Sequence, residues 1–194
     1  MIYCTVAQVE EYTGTTIAGD DVATVEGWIE SISRLFDKIT DRKLVADDES
    51  DAEPEARYFD GNGGTQLRID DCVSIATLKI GDEYGANLAT VTSYVTYPRV
   101  APFRGLALTS GCFTPGLQNV EVTGFWGFME EVSADLSFAC TVIVGGVLNT
   151  KTPNAQAVKS EKIGEYQVTY LDDKGIADYQ RAMAILEGYK RHSL

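Results

Sequence analysis

Histidine is nearly absent from this chain: the single one among 194 residues is His192, at the third position from the end. Catalysis that pairs a nucleophile with an imidazole needs a held geometry, and a chain terminus frays, so that class is disfavoured. Basic residues are also few, with 16 Lys and Arg against 29 Asp and Glu, a net charge of -13 and a pI near 4.4. Such a surface argues against ordinary binding to DNA phosphates. It reads either as a solubilising coat or as a surface that repels nucleic acid passing close by. The four cysteines, Cys4, Cys72, Cys112 and Cys140, are widely spaced and form no CxxC pair, which zinc and redox motifs want. Buried, reduced thiols are the expectation. No apolar run spans a bilayer; the longest, around Phe138 to Leu148, is too short. The segment Met1-Ile2-Tyr3-Cys4-Thr5 lacks the basic and apolar regions of a signal peptide, so synthesis in the cytosol is expected.

What is present is a globular composition, 44% hydrophobic with a mean hydropathy of -0.10, enough for one domain or one domain carrying an insertion. The acid is uneven: residues 1–56 hold 14 Asp and Glu against 4 Lys and Arg, so they carry -10 of the -13.

Apolar spacing predicts a short helix over 5–13, with Thr5 as its cap and Gly14 as its stop. A longer helix over 20–41 follows, capped by Asp20 or Asp21, with Val22, Val25, Ile29, Ile32, Phe36 and Ile39 on one stripe. Asp47 to Glu55 is an acidic linker and should be an exposed, mobile loop. From Ala56 the period changes to that of short strands, at 57–59, 65–69, 75–80, 92–95, 106–108 and 119–123, separated by Gly, Asn, Asp and Pro turns. That spacing predicts a small antiparallel sandwich or barrel-like module.

Val120 and Val122 end this region in what reads as a glycine-framed aromatic turn, Gly124-Phe125-Trp126-Gly127. These four residues read as a structural joint. After it, Ser133 caps a helix so apolar, through Leu148, that it should be buried on most sides, with Gly145 and Gly146 admitting a closely packed neighbour. A polar arm over 149–162, a strand over 165–170 and a last helix from about Gly175 to Lys190 complete the chain. The fold class is α+β: a helical bundle of about four helices with an inserted antiparallel β-rich module. The divisions are an N-terminal helical region over 1–54, a β-rich module over 55–128, and a C-terminal helical region over 129–194 with arm and tail, together one composite domain.

Candidate chemistry is thin. Asp60-Gly61-Asn62-Gly63-Gly64 has a faint calcium-loop look, but its twelfth position is Asp71 rather than Glu, and Asp-Gly and Asn-Gly are ordinary turn signals. Asp70-Asp71, Asp82-Glu83, Glu130-Glu131 and Asp172-Asp173 are adjacent pairs, and neighbours on a strand face opposite ways, which does not make a carboxylate dyad. No Walker motif, nucleophile elbow or HExxH is present. No cofactor and no metal is expected. Aromatics such as Tyr94, Tyr97, Phe103 and Phe128 lack a basic surround and read as core or interface.

Several strings, in order, carry a resemblance. They are Thr5 to Tyr12; Ile39-Thr40-Asp41-Arg42-Lys43-Leu44; Glu55-Ala56-Arg57-Tyr58-Phe59-Asp60-Gly61; Val122 to Phe128 with Val132-Ser133-Ala134-Asp135-Leu136; and Ser160 to Tyr170. In this order the chain resembles the head-tail connector, or adaptor, proteins of tailed bacteriophages. Ser133 stands where that family often has Pro, and both suit a helix start.

The resemblance implies a non-enzymatic virion protein of the neck. About twelve copies would form a ring under the portal protein, extend the DNA channel, and dock the next neck or tail-completion protein. Packaged DNA would pass without sequence-specific binding, and no membrane is involved. The arm, with Lys159, Lys162, Tyr166, Val168 and Tyr170, is the candidate for inter-subunit or lumenal contact, because a strand with a free edge can pair with a neighbour. An internal hairpin is the alternative. The tail, with Tyr189, Lys190, Arg191 and His192, is the candidate for docking on the portal, and simple fraying is its alternative. Two other functions compete: an acidic DNA mimic that occupies a nucleic-acid enzyme, and an enzyme with an acidic active site. The mimic accounts for the charge but not for the ordered strings.

Overall fold

The computed structural model describes residues 1–151, 159–170 and 173–191. Two helices come first, α1 (Val6–Thr13) and α2 (Asp20–Thr40). Six strands follow: β1 (Glu55–Gly61), β2 (Gln66–Ile80), β3 (Ala89–Thr90), β4 (Tyr94–Tyr97), β5 (Phe103–Leu108) and β6 (Gly116–Trp126). Then come α3 (Ala134–Lys151), the strands β7 (Lys159–Ile163) and β8 (Tyr166–Tyr170), and α4 (Asp173–Tyr189). The described residues form a mixed α+β fold with four helices, a six-stranded antiparallel sheet and a two-stranded one. The chain divides into two compact units, a helical one of residues 1–42 with 132–194 and a β-rich one of residues 43–131.

In the helical unit, Thr5 caps α1 through a capping box: the Gln8 N–H donates to Thr5 Oγ1 (3.3 Å), and the Thr5 N–H donates to Gln8 Oε1 (2.8 Å). Gly14 ends the helix in the left-handed region. The expected cap of α2 is corrected. Gly19 holds that position without a side-chain bond, and Asp20 and Asp21 lie in the first turn, where their charge suits the helix dipole. Val25, Ile29, Ile32 and Phe36 are buried along α2 as the stripe predicts, but Thr40 replaces Ile39 at its buried end. Leu136 and every residue from Ala139 to Val147 are buried in α3, which packs against α1, α2, α4 and β8. Gly145 permits the approach of α1: a Cβ there would stand 2.9 Å from the Tyr12 ring and 3.0 Å from Thr13 Cγ2.

The β-rich unit is one sheet in the order β1-β6-β2-β5-β4, with β3 paired to β2. It replaces the expected sandwich or barrel. The two strands expected at 65–69 and 75–80 are one strand, β2, because Asp70-Asp71-Cys72 bulges rather than turns. Register slips between Arg68 and Cys72, again between Cys72 and Ser74, and again between Ile75 and Thr77. The slips change which side chains face the core, from Leu67 and Ile69 to Cys72 and Leu78. β2 therefore pairs with β5 through its first half and with β6 through its second. The turn at Asp60–Gly64 joins β1 and β2, yet those strands are not neighbours, since β6 lies between them. Leu67, Ile69, Cys72, Leu106, Val122 and Trp126 belong to one core cluster.

Candidate functional site

The expected joint lies inside a strand rather than in a turn. Gly124 sits within β6, level with Glu55 on β1 and Ile75 on β2, and β6 continues through Trp126. The glycines are there for closeness. A Cβ on Gly124 would run into the Ser74 carbonyl, and one on Gly127 into the backbone of Val45 and Ala46. Neither needs a left-handed backbone, which is why a turn reading fails. Trp126 anchors the arrangement. It is buried, its Nε1–H donates to Glu55 O (2.8 Å), Arg57 lies over its ring at 4.7 Å, and Phe59 packs beside it. Phe125 is half-buried.

Beyond Gly127 the chain runs beside its own entry into the unit. The Phe128 N–H donates to Lys43 O, the Met129 N–H to Leu44 O, and the Ala46 N–H to Met129 O, all between 2.9 and 3.0 Å. Leu44, Val45 and Ala46 are buried. This two-stranded stem is not legible in the sequence, because three apolar residues between bases and an acidic run carry no period. The acidic segment itself is exposed from Asp47 to Asp51 and is held as a turn by the Asp48 carboxylate, which accepts from the Ser50 N–H and hydroxyl at 2.8 Å.

The arm is a hairpin. β7 and β8 pair over Lys159–Ile163 and Tyr166–Tyr170 around a two-residue turn at Gly164-Glu165, with Gly164 at φ +58. Ile163 and Val168 are buried, Tyr166 is half-buried and Lys162 is exposed. Gly164 lies against Leu35 of α2, and β8 packs on α3 and α4. The strands at Lys159 and Tyr170 are defined in their backbone only. Each strand pairs with the other and with no further strand among the described residues.

The first three residues of the tail, Tyr189 to Arg191, are bonded within the helical unit. Tyr189 is the last residue of α4, and its hydroxyl donates to the Asp135 carboxylate (3.0 Å) and lies 3.0 Å from Ser133 Oγ. The bonds from Ser133 and Tyr189 hold the Asp135 carboxyl below its ordinary value, and burial pushes the Tyr189 phenol up. Lys190 pairs with Glu187, and the Arg191 N–H donates to Thr40 O (3.0 Å). His192 lies outside the described residues.

The thiol expectation needs one correction: Cys4, Cys72 and Cys140 are buried but Cys112 is exposed, on a loop before β6. Burial pushes the Cys72 thiol up to about 11, and it donates to Ser74 O (3.1 Å), so it is an inert core group. Among the described residues no group of three or more His, Cys, Asp and Glu is placed to hold a metal, and no helix is long and apolar enough to cross a membrane.

A different surface emerges on the β-rich unit. Residues 84–120 contain no Asp or Glu in a chain rich in both. They include the sheet-edge strand β4, beside a groove of about 560 Å³ lined by Thr77, Val91, Tyr94, Thr96 and Arg99. Tyr84, Tyr97, Val100 and Leu117, each more than 70% exposed, lie in the same stretch. A scan for missing acid along the sequence finds it.

No family model and no curated protein matches the chain. Solved structures do. A chain from the neck of an empty gene transfer agent particle, computed with C6 symmetry, superposes with a TM-score of 0.62 at 14% identity, over 99% of this chain and 91% of that one. A chain from the virion of a native gene transfer agent particle gives 0.60 at 15% identity, with the same coverage. At these identities the likeness is one of fold. It spans both units, the β-rich one included.

Proposed function

We propose that the chain is a structural, non-enzymatic protein of the neck of a phage-like particle, a head-to-tail adaptor. It forms a ring below the portal, extends the DNA channel and docks the next neck or tail-completion protein. Its helical bundle builds the ring and carries the β-rich module as an insertion. The observation that carries this reading is the likeness over 99% of the chain to a protein of a particle neck. The ordered strings of the sequence support it independently.

About twelve copies form the ring, a number compatible with the sixfold symmetry of that neighbour's neck. Twelve copies at -13 each give a formal charge of -156. Acid lining or flanking the channel keeps DNA from adhering. The β7–β8 hairpin contributes an open edge to the neighbouring subunit or to the lumen, and the residues after α4 dock on the portal. The protein is made in the host cytoplasm and resides in the virion neck.

Removing the gene from its producing genome tests the role. Particles lacking the chain should accumulate as heads and free tails that do not join. Normally tailed, infectious or DNA-transferring particles would overturn the reading. The acidic DNA-mimic alternative predicts instead a soluble monomer or dimer that competes with DNA for an enzyme.

A further inference from the structure

Two sulfurs meet in the core of the helical unit. Cys4 Sγ and Cys140 Sγ lie 3.2 Å apart, 136 residues apart in sequence, and both side chains are buried. Cys4 immediately precedes the Thr5 cap of α1, and Cys140 sits in the middle of α3. Ser33 Oγ lies 3.9 Å from Cys140 Sγ, and it also accepts the Tyr3 N–H at 3.0 Å. A buried cysteine serves as a small apolar group without needing a second sulfur. A disulfide measures about 2.05 Å, so the two atoms need to close by only about 1.1 Å to bond. Cys72 and Cys112 are not in such a pair among the described contacts.

The pair also has a route to solvent. A groove of about 730 Å³ is lined by Ile2, Cys4, Val6, Glu26 and Glu30, and Met1 and Ile2 beside it are half exposed. Cys4 is thus the outer member and Cys140 the inner one. The bond to Cys140 draws the Cys4 thiol below its ordinary value, while that same bond and burial raise Cys140. Cys4, the member that lines the groove, is the one placed to react first.

We infer that Cys4 and Cys140 form an oxidisable dithiol, which closes to a disulfide on meeting a small-molecule disulfide oxidant such as oxidised glutathione. The Cys4 thiolate attacks one sulfur of the oxidant and forms a mixed disulfide, releasing one small thiol. The departing small thiolate takes the Cys140 proton, and the Cys140 thiolate displaces the second small thiol from Cys4. The protein is oxidised by two electrons, and the oxidant is reduced to two thiols. The closed bond staples the segment ahead of α1 to α3. It closes a long loop in the unfolded ensemble and lowers that ensemble's entropy, and so hardens the unit once the protein leaves a reducing cytosol.

The full-length chain should be incubated with oxidised glutathione and then denatured, alkylated and mapped. The inference expects a Cys4–Cys140 linked peptide, loss of two of the four alkylatable thiols, and a melting temperature higher by roughly 10 °C that dithiothreitol reverses. Cys72→Ser and Cys112→Ser together should leave this unchanged, while Cys4→Ser, at the rim of the groove, should abolish it. Cys140→Ser should abolish it too, and should that variant fail to fold, Cys4→Ser still decides the matter. No reaction in the native chain, a stable glutathione adduct on Cys4, or a linkage through Cys112 would each overturn it.

Discussion

A methyl group added at Gly127 would press on the backbone of Val45 and Ala46, and one at Gly124 on the Ser74 carbonyl. Backbone cannot step aside as the end of a flexible side chain can. Gly124→Ala and Gly127→Ala should each cost about 2–4 kcal/mol in urea unfolding followed by Trp126 fluorescence in a Trp28→Phe background, with little change in the far-UV signal of the helices. A second residue-scale test concerns Glu121, a buried carboxylate on β6 that accepts from Lys79 Nζ (2.6 Å) and from the Tyr58 hydroxyl (3.1 Å). The Lys79 bond, the largest cause, lowers the Glu121 value below 4.5, and the Glu121 bond raises Lys79 above 10.5. The carboxylate's contribution is present above its ordinary value and is lost as pH falls through the depressed one. The lysine's is present below 10.5 and is lost as pH rises beyond it. The stability gap between wild type and Glu121→Gln should therefore be widest between about pH 5 and 10 and should narrow toward pH 3. A gap that stays constant from pH 6 to pH 3 would count against the ion pair. At this scale the sequence shows which residue types gather at the joint but not why. Gly-Phe-Trp-Gly reads equally as a turn or as a crowded strand, and only the pairing of Gly124 with two neighbours separates them.

Elements with a strong period are legible in the sequence and those with an interrupted one are not. α2 shows its stripe and α3 its all-round burial, because a helix repeats the same demand every turn. β2 reads as two strands because Asp70-Asp71 looks like a turn. It is one strand because a bulge lets Asp71 and Cys72 both be buried. The strand pairing is not legible at all, since Asp60–Gly64 carries a hairpin's residues while β6, 55 residues downstream of Gly61, fills the gap. Among the helices, the contact between α1 and α3 depends on Gly145. Gly145→Ala should cost about 1–3 kcal/mol, because the Tyr12 ring, whose hydroxyl reaches Asp178 (3.2 Å), has to shift. Thermal unfolding of the variant reads this, and Tyr12→Leu in the same background should recover some of the loss. The hairpin is held by Val168 and by Gly164 against Leu35. Val168→Asp should release it, and protease cleavage between residues 159 and 170 should then appear without global unfolding.

At the scale of the whole molecule, the overall charge and the end of α4 carry the testable consequences. Because Tyr189 and Arg191 are bonded into the helical unit, deleting residues 189–194 confuses folding with docking. Deleting 192–194 alone separates them: if the tail docks on the portal, portal binding should fall while the melting temperature stays within about 2 °C, since terminal residues contribute little unless tied down. Neutralising the acids of residues 47–55 tests the channel idea. Slower DNA ejection at low salt is expected, and packaging and ejection indistinguishable from wild type would count against it. The α+β class and the four described helices can be argued from the periodicity of the sequence. The proposed ring comes from the resemblance alone, because a single chain does not display its own symmetry. The most direct measurement is electron microscopy of the chain assembled with the portal protein of its own particle. The account predicts a closed ring of about twelve copies seated on the portal around a continuous channel. A chain that stays monomeric beside the intact portal, or that binds outside the channel axis, would contradict it.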